Sequence, residues 1–168
     1  MAVKTNAQLA AFFNTGDQPS ETEFGHLIDT IIPTPVLLTD ATATLTEAAN
    51  GMRINILPMI GGNRTISMPT PSAAGVSYRF ISALTAEETE NYIFDTVTTD
   101  NSVYFKGGLG AIAVSGDLAA DHSNGSSNSQ LTLEDAGYFD ILFVAYSTTI
   151  WYVSGVYQSV DTAAFADQ

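Results

Sequence analysis

"YFDILFVAYSTTIWYVSGVY", residues 138–157, is the stretch on which the reading of this chain turns. It alternates at the two-residue period of a strand. Phe139, Ile141, Phe143 and Ala145 fall on one side, and Asp140, Leu142, Val144 and Tyr146 on the other. Ser147, Thr148 and Thr149 interrupt the pattern, and "TIWYVSGVY" resumes it, so the segment predicts a hairpin. Apart from Asp140, both sides are mostly apolar. A strand apolar on both faces is buried on both faces. One face then meets a sandwich core. The other meets either a subunit interface or the protein's own helices.

Upstream, short β-branched runs recur between Gly, Pro and Asn turns. "VLLT" and "TATLT" come first. "MRINILPMI" alternates, with Arg53 and Asn55 on one face and Ile54 and Ile56 on the other. "GGN" at 61–63 reads as a hairpin turn, followed by "RTISM", the loop "PTPSAAG" and the strand "VSYRFIS". "NYIFDTV", "SVYFKG" and "AIAVSG" read as further strands divided by "TTDN" and "GGLG". "GDLAADHSNGSSNSQ" is polar and without apolar spacing, and reads as a surface loop. Roughly eight to ten short strands result, the pattern of an antiparallel β-sandwich or jelly roll. No internal repeat of fixed period is visible.

The first thirty-odd residues have a different texture. Leu9, Ala10, Phe12 and Phe13 form an apolar stripe, and Asn14, Gly16 and Pro19 stop it. Ser20 and Glu23 have capping-box spacing. Phe24, Leu27, Ile28, Ile31 and Ile32 then share a helical face until Pro33 and Pro35. Both helices are too short to be stable alone and need something to pack on. The expected organisation is a helix-turn-helix docking extension over 1–35, a β-sandwich body over 36–158 and a C-terminal arm over 159–168.

Charge narrows the function classes. Eighteen Asp and Glu oppose five Lys and Arg, for a net charge of −13. So few cations argue against binding nucleic acid phosphates or an anionic membrane. Excess surface acid favours solubility, and it points to an outward face opposite a neutral, buried one. No apolar run reaches the roughly 18–20 residues of a membrane span, and "MAVKTNAQ" lacks a secretory h-region. With 0 Cys, disulfides and thiolate metal sites are excluded, which suits synthesis in a cytoplasm.

Catalytic patterns are weak. His26 reads as a helix-surface or interface residue. His122 sits in "DHS", but residues adjacent in sequence point different ways, triads are assembled from distant segments, and no G-x-S-x-G elbow is present. Two histidines without H-x-x-x-H spacing do not make a zinc site. Asp117, Asp121, Asn124 and Asn128 could offer oxygens to calcium, yet EF-hand spacing is absent and such composition suits a loop. Glu87, Glu88 and Glu90 read as a solvated bend, and the glycine pairs at 61 and 107 as turn geometry. No enzyme activity, cofactor, metal or small-molecule substrate is expected.

"LAAFFNTGDQPSETEFGHLIDTI" resembles an N-terminal segment of tailed-bacteriophage virion proteins: a helix, T-G-D-x-P-[ST], then a helix ending in L-I-D. "ATLTEAANGMRINILPMIGGNRTISMPTPSAAGVSYRFIS" is similar to a β-module of phage capsid-decoration and fibre proteins, with an A-x-x-G turn, T-I-x-[ML]-P and G-x-x-[YF]-x-F; "TIWYVSG" resembles its closing strand. The resemblance implies a structural virion protein, often a homotrimer, without catalytic residues. The expected role is a capsid cement or decoration protein, made in the host bacterial cytoplasm and placed on the capsid surface. It would bridge copies of the major capsid protein, with Phe12, Phe13, Phe24, Leu27, Ile31 and Phe165 as partner-binding residues. The alternative is a tail-fibre, baseplate or head-fibre adaptor, with 117–130 as a receptor face. The polar region around 114–137 and the tail after Gly155 depart from the pattern.

Overall fold

The computed structural model describes residues 20–25, 34–83, 89–97, 101–113, 118–159 and 162–168. The chain divides into two compact units, Met1–Pro35 and Val36–Gln168. In the first, residues 21–25 are helical. The Glu23 amide donates to Ser20 Oγ at 3.3 Å, and the Ser20 amide donates to Glu23 Oε2 at 2.8 Å, the reciprocal capping box that the sequence predicts. The first helix and the remainder of the second lie outside the described residues, as do Phe12, Phe13, His26, Leu27 and Ile31.

The second unit is a two-sheet β-sandwich. Its described elements are β1 (Val36–Leu37), β2 (Ala43–Thr44), the one-turn helix α1 (Glu47–Asn50), β3 (Ile54–Ile56), β4 (Arg64–Met68), β5 (Ser77–Ala83), β6 (Tyr92–Thr96), β7 (Tyr104–Ala113), β8 (Leu118–His122), β9 (Gln130–Leu133), β10 (Tyr138–Ser147), β11 (Ile150–Ser159) and β12 (Ala164–Ala166). One sheet has the order β1-β3-β5-β10-β11-β7-β8, the other β12-β9-β6-β4-β2. The mainly β, sandwich-like class is as expected. The pairing is mixed rather than wholly antiparallel: β1–β3, β3–β5, β7–β11, β2–β4 and β4–β6 run parallel. Successive strands such as β3 and β4 enter different sheets, so the chain crosses between layers instead of turning back on itself. "GGN" at 61–63 therefore lies in a crossover and not in a hairpin.

The 138–157 hairpin is the spine of the larger sheet. Phe139 pairs with Tyr157 and Phe143 with Val153 across a turn at Thr148 and Thr149. Phe139, Ile141, Phe143 and Ala145 are buried, as are Trp151, Val153 and Tyr157. Phe143 is a hub of the core, with ring centroids 5.7 Å from Phe80, 5.4 Å from Phe94 and 5.4 Å from Phe105. Such tilted and edge-on arrangements suit the aromatic quadrupole. The polar tips of the large aromatics are partly satisfied at the rim: Trp151 Nε1 donates to the Pro69 carbonyl at 3.2 Å, and Tyr92 Oη to the Pro58 carbonyl at 2.7 Å.

Two local expectations are corrected, and one strand's burial is settled. "GGLG" does not divide two strands; it lies inside the continuous β7. Gly107 there has φ +101, and a Cβ would collide with the Val153 carbonyl, so close approach of β11 requires glycine. "GDLAADHSNGSSNSQ" is not one loop: it contains β8, a tight turn and the start of β9. On β3 the polar residue is the buried one. Asn55 is fully buried, and Ile54 and Ile56 are half-buried on the outer side. Asn50 Nδ2 donates to Asn55 Oδ1 at 3.0 Å, and Asn55 Nδ2 donates to the Asn50 carbonyl at 3.2 Å. That pairing offsets the desolvation of both amides.

The tail joins the smaller sheet. β12 pairs with β9, placing Phe165 opposite Leu131, and the Ser129 amide donates to the Ala166 carbonyl at 3.0 Å. Residues 162–168 are thus stitched into the body as an edge strand.

Candidate interaction surface

The two outer faces of the sandwich differ in chemistry. On the smaller sheet, alternation turns Ile66, Met68, Phe94 and Leu131 inward. Their outward neighbours are Thr65 and Ser67 on β4, Ile93 and Asp95 on β6, and Gln130 and Thr132 on β9. Hydroxyls and amides dominate, as on a face solvated by water.

The outer face of the larger sheet is apolar. With Phe80, Ile141 and Val153 inward, its surface is built from Ile54 and Ile56 on β3, Ile81 on β5, Leu142 and Val144 on β10, and Tyr152 and Val156 on β11. Leu37 extends it at the β1 edge and is 75% exposed; Tyr146 on β10 is 73% exposed. Among the described residues of this unit the helix content is α1 alone; the helices that the sequence offers as an alternative cover lie within 1–35, mostly outside the described residues. A contiguous apolar face of this kind is the usual mark of an interaction site.

Charge on this face is sparse. Its strand residues carry Arg79, Lys106 and Asp140; Lys106 Nζ lies 5.8 Å from the Tyr104 ring centroid. Arg79 Nε donates to Asp140 Oδ1 at 2.8 Å and Arg79 Nη2 to Asp140 Oδ2 at 2.5 Å, a bidentate pair. The hydrogen bond from Arg79 holds the Asp140 carboxyl below the usual carboxylate range. Both side chains stay nearly half exposed, so the pair remains open to a third group. Beside it Ser154 and Gly155 replace bulk with small residues, leaving an open depression of about 390 Å³ bounded by Leu142 and Val156. Gly155 has φ +146, and a Cβ would collide with the Asp140 carbonyl. Tyr152 projects two residues along the same strand.

The residues singled out by sequence fall differently. Phe24 is 53% exposed. Phe165 instead packs against the body's own core. Asp121 accepts from Tyr157 Oη, which also accepts the Ala163 amide at 2.5 Å, so Asp121 is part of the tail anchorage. Burial, and next the bond to Asp121, push the Tyr157 phenol above its ordinary range. His122 is exposed at the β8 edge. Asn124 Oδ1 accepts from the Ser126 and Ser127 amides at 2.9 and 3.0 Å, and Asn128 Oδ1 from the Asn124 amide at 2.7 Å. Their oxygens close an Asx-type turn, which accounts for the polar composition that suggested calcium ligands. Asp117, Glu87 and Glu88 lie outside the described residues.

Sequence reasoning found β10's two apolar sides but not the Arg79–Asp140 pair, whose members are 61 residues apart. No protein-family model matches this chain, and no curated protein matches it.

Proposed function

We propose that this chain is a structural virion protein of a tailed phage, a capsid cement that binds the outer shell and ties neighbouring capsid subunits together. Its partners are the major capsid protein and further copies of itself, and it performs no catalysis. The observation that carries this reading is the contrast between the outer faces of the sandwich, one polar and one apolar. Shells are cemented by burying area across subunit boundaries, and the chain offers two places to do so. One is the amphipathic segment around Phe24; the other is the outer face of the larger sheet. Two modest contacts on one chain reinforce each other through effective concentration. The assignment to phage rests on the sequence resemblance of residues 9–31 and 43–82. Excess acid on the remaining surface would keep decorated particles apart.

The test is copy number per purified particle, by quantitative peptide mass spectrometry against the major capsid protein. Hundreds of copies are expected. A few to a few dozen would move the chain to a tail or vertex, and absence from particles would overturn the virion reading. The attachment role is tested separately by Phe12→Asp combined with Phe24→Asp. Shell binding should be lost while the β-body keeps its melting transition; undiminished binding would remove this segment from the clamp.

A further inference from the structure

We infer that the outer face of the larger sheet takes a second copy of this chain, the two sheets packing face to face about a two-fold axis. The inference rests on the reading of that face as an interface and names its occupant. Three features of the face point to self-recognition.

The first is charge. The chain carries −13 overall, but the strand residues of this face carry two cations and one acid. Copies that repel each other elsewhere can approach here. A basic partner, by contrast, would be drawn to the acidic remainder of the surface. The second is the Arg79–Asp140 pair, which presents both signs side by side and is nearly half exposed. An isologous contact places each patch against itself, so that residue i meets j and j meets i. Arg79 of one copy then meets Asp140 of the other, and the reverse, while Lys106 lies outside this exchange, over the Tyr104 ring. The third is shape: the face holds both a projection, Tyr152, and the depression at Ser154 and Gly155. Two-fold packing seats the one in the other twice. This two-fold pair, and not the three-fold assembly that the family resemblance implies, is then the state of the free chain.

The test uses full-length chains and two charge reversals at exposed positions, Arg79→Asp and Asp140→Arg. Mass is read by light scattering after size-exclusion chromatography. The unaltered chain should give twice its 17.8 kDa. Each variant alone should fall to the monomer mass, because two acids then face two acids, or two guanidinium groups face two. An equimolar mixture should return to the dimer mass as a heterodimer. Recovery on mixing cannot arise from misfolded variants, so the readout survives any loss of stability. A monomeric unaltered chain, variants that still dimerise, or a mixture that stays monomeric would each overturn the inference. Shell binding is measured in parallel with Leu142→Asp. A monomeric unaltered chain that binds shells and loses binding on this substitution would give the face to another protein. A dimer that ignores shells would overturn the virion reading and leave the two-fold contact standing.

Discussion

At the scale of single residues, two carboxyls on opposite outer faces shift in opposite directions. Asp95, on the smaller sheet, has Oδ1 buried without a partner, and desolvation raises its pKa against a smaller opposing bond from Ser67. An acid raised on folding lowers stability once pH climbs through its folded pKa, because the native state holds the proton longer. Asp95→Asn is therefore expected to raise the melting temperature at pH 7, with the gain vanishing as pH falls below the unfolded carboxyl range. Asp140 is lowered, so its contribution is present above the unfolded pKa and lost as pH falls through the folded one. Being nearly half exposed, that pair contributes no more than about 1 kcal/mol to the single chain. In the core the magnitudes are larger. Phe143 touches three other rings and is fully buried. Phe143→Ala should cost about 3–5 kcal/mol in urea unfolding, a large part of a typical 5–15 kcal/mol total.

Among the elements, legibility followed the strength of local periodicity. β10 and β11 were readable because ten-residue runs of alternating apolar side chains admit no helical alternative. The capping box at Ser20 was readable because its bonds are local. β7 was misdivided because glycine normally signals a turn, whereas here Gly107 serves the close approach of a neighbouring strand. β8 was missed because an edge strand buries little and keeps polar composition. The inward turn of Asn55 was hidden because its partner, Asn50, comes from α1, and only the fold brings the two amides together. The outer-face site was half visible, as the second apolar side of β10; its charge pair depends on the register of β5 against β10. Glycine in β11 provides a test at this scale. Gly155→Ala forces φ +146 on an L side chain and drives a methyl into the Asp140 backbone. Stability should fall by more than about 1 kcal/mol, and the displaced Asp140 should weaken dimerisation as well, both readable by thermal melts and light scattering.

For the whole molecule, a net charge of −13 on 168 residues sets the sign of its salt response. Like charges spread over one surface oppose both compaction and the meeting of two copies. Raising ionic strength from about 0.01 M to about 0.1 M shortens the screening length from roughly 30 Å to roughly 10 Å. That removes repulsion between distant acids, while the Arg79–Asp140 contact, at hydrogen-bond distance, is far less screened. Two effects should therefore move together: the melting temperature rises and the dimer tightens over this range. Sedimentation equilibrium across a salt series reads the second directly. An association driven mainly by pairing acidic surface with basic surface would weaken instead, as phosphate-binding proteins do. A dimer that loosens with salt would therefore place the dominant contact away from the nearly neutral sheet face. One that tightens is the behaviour expected when apolar area supplies the energy and the acidic remainder only sets the distance at which copies first repel.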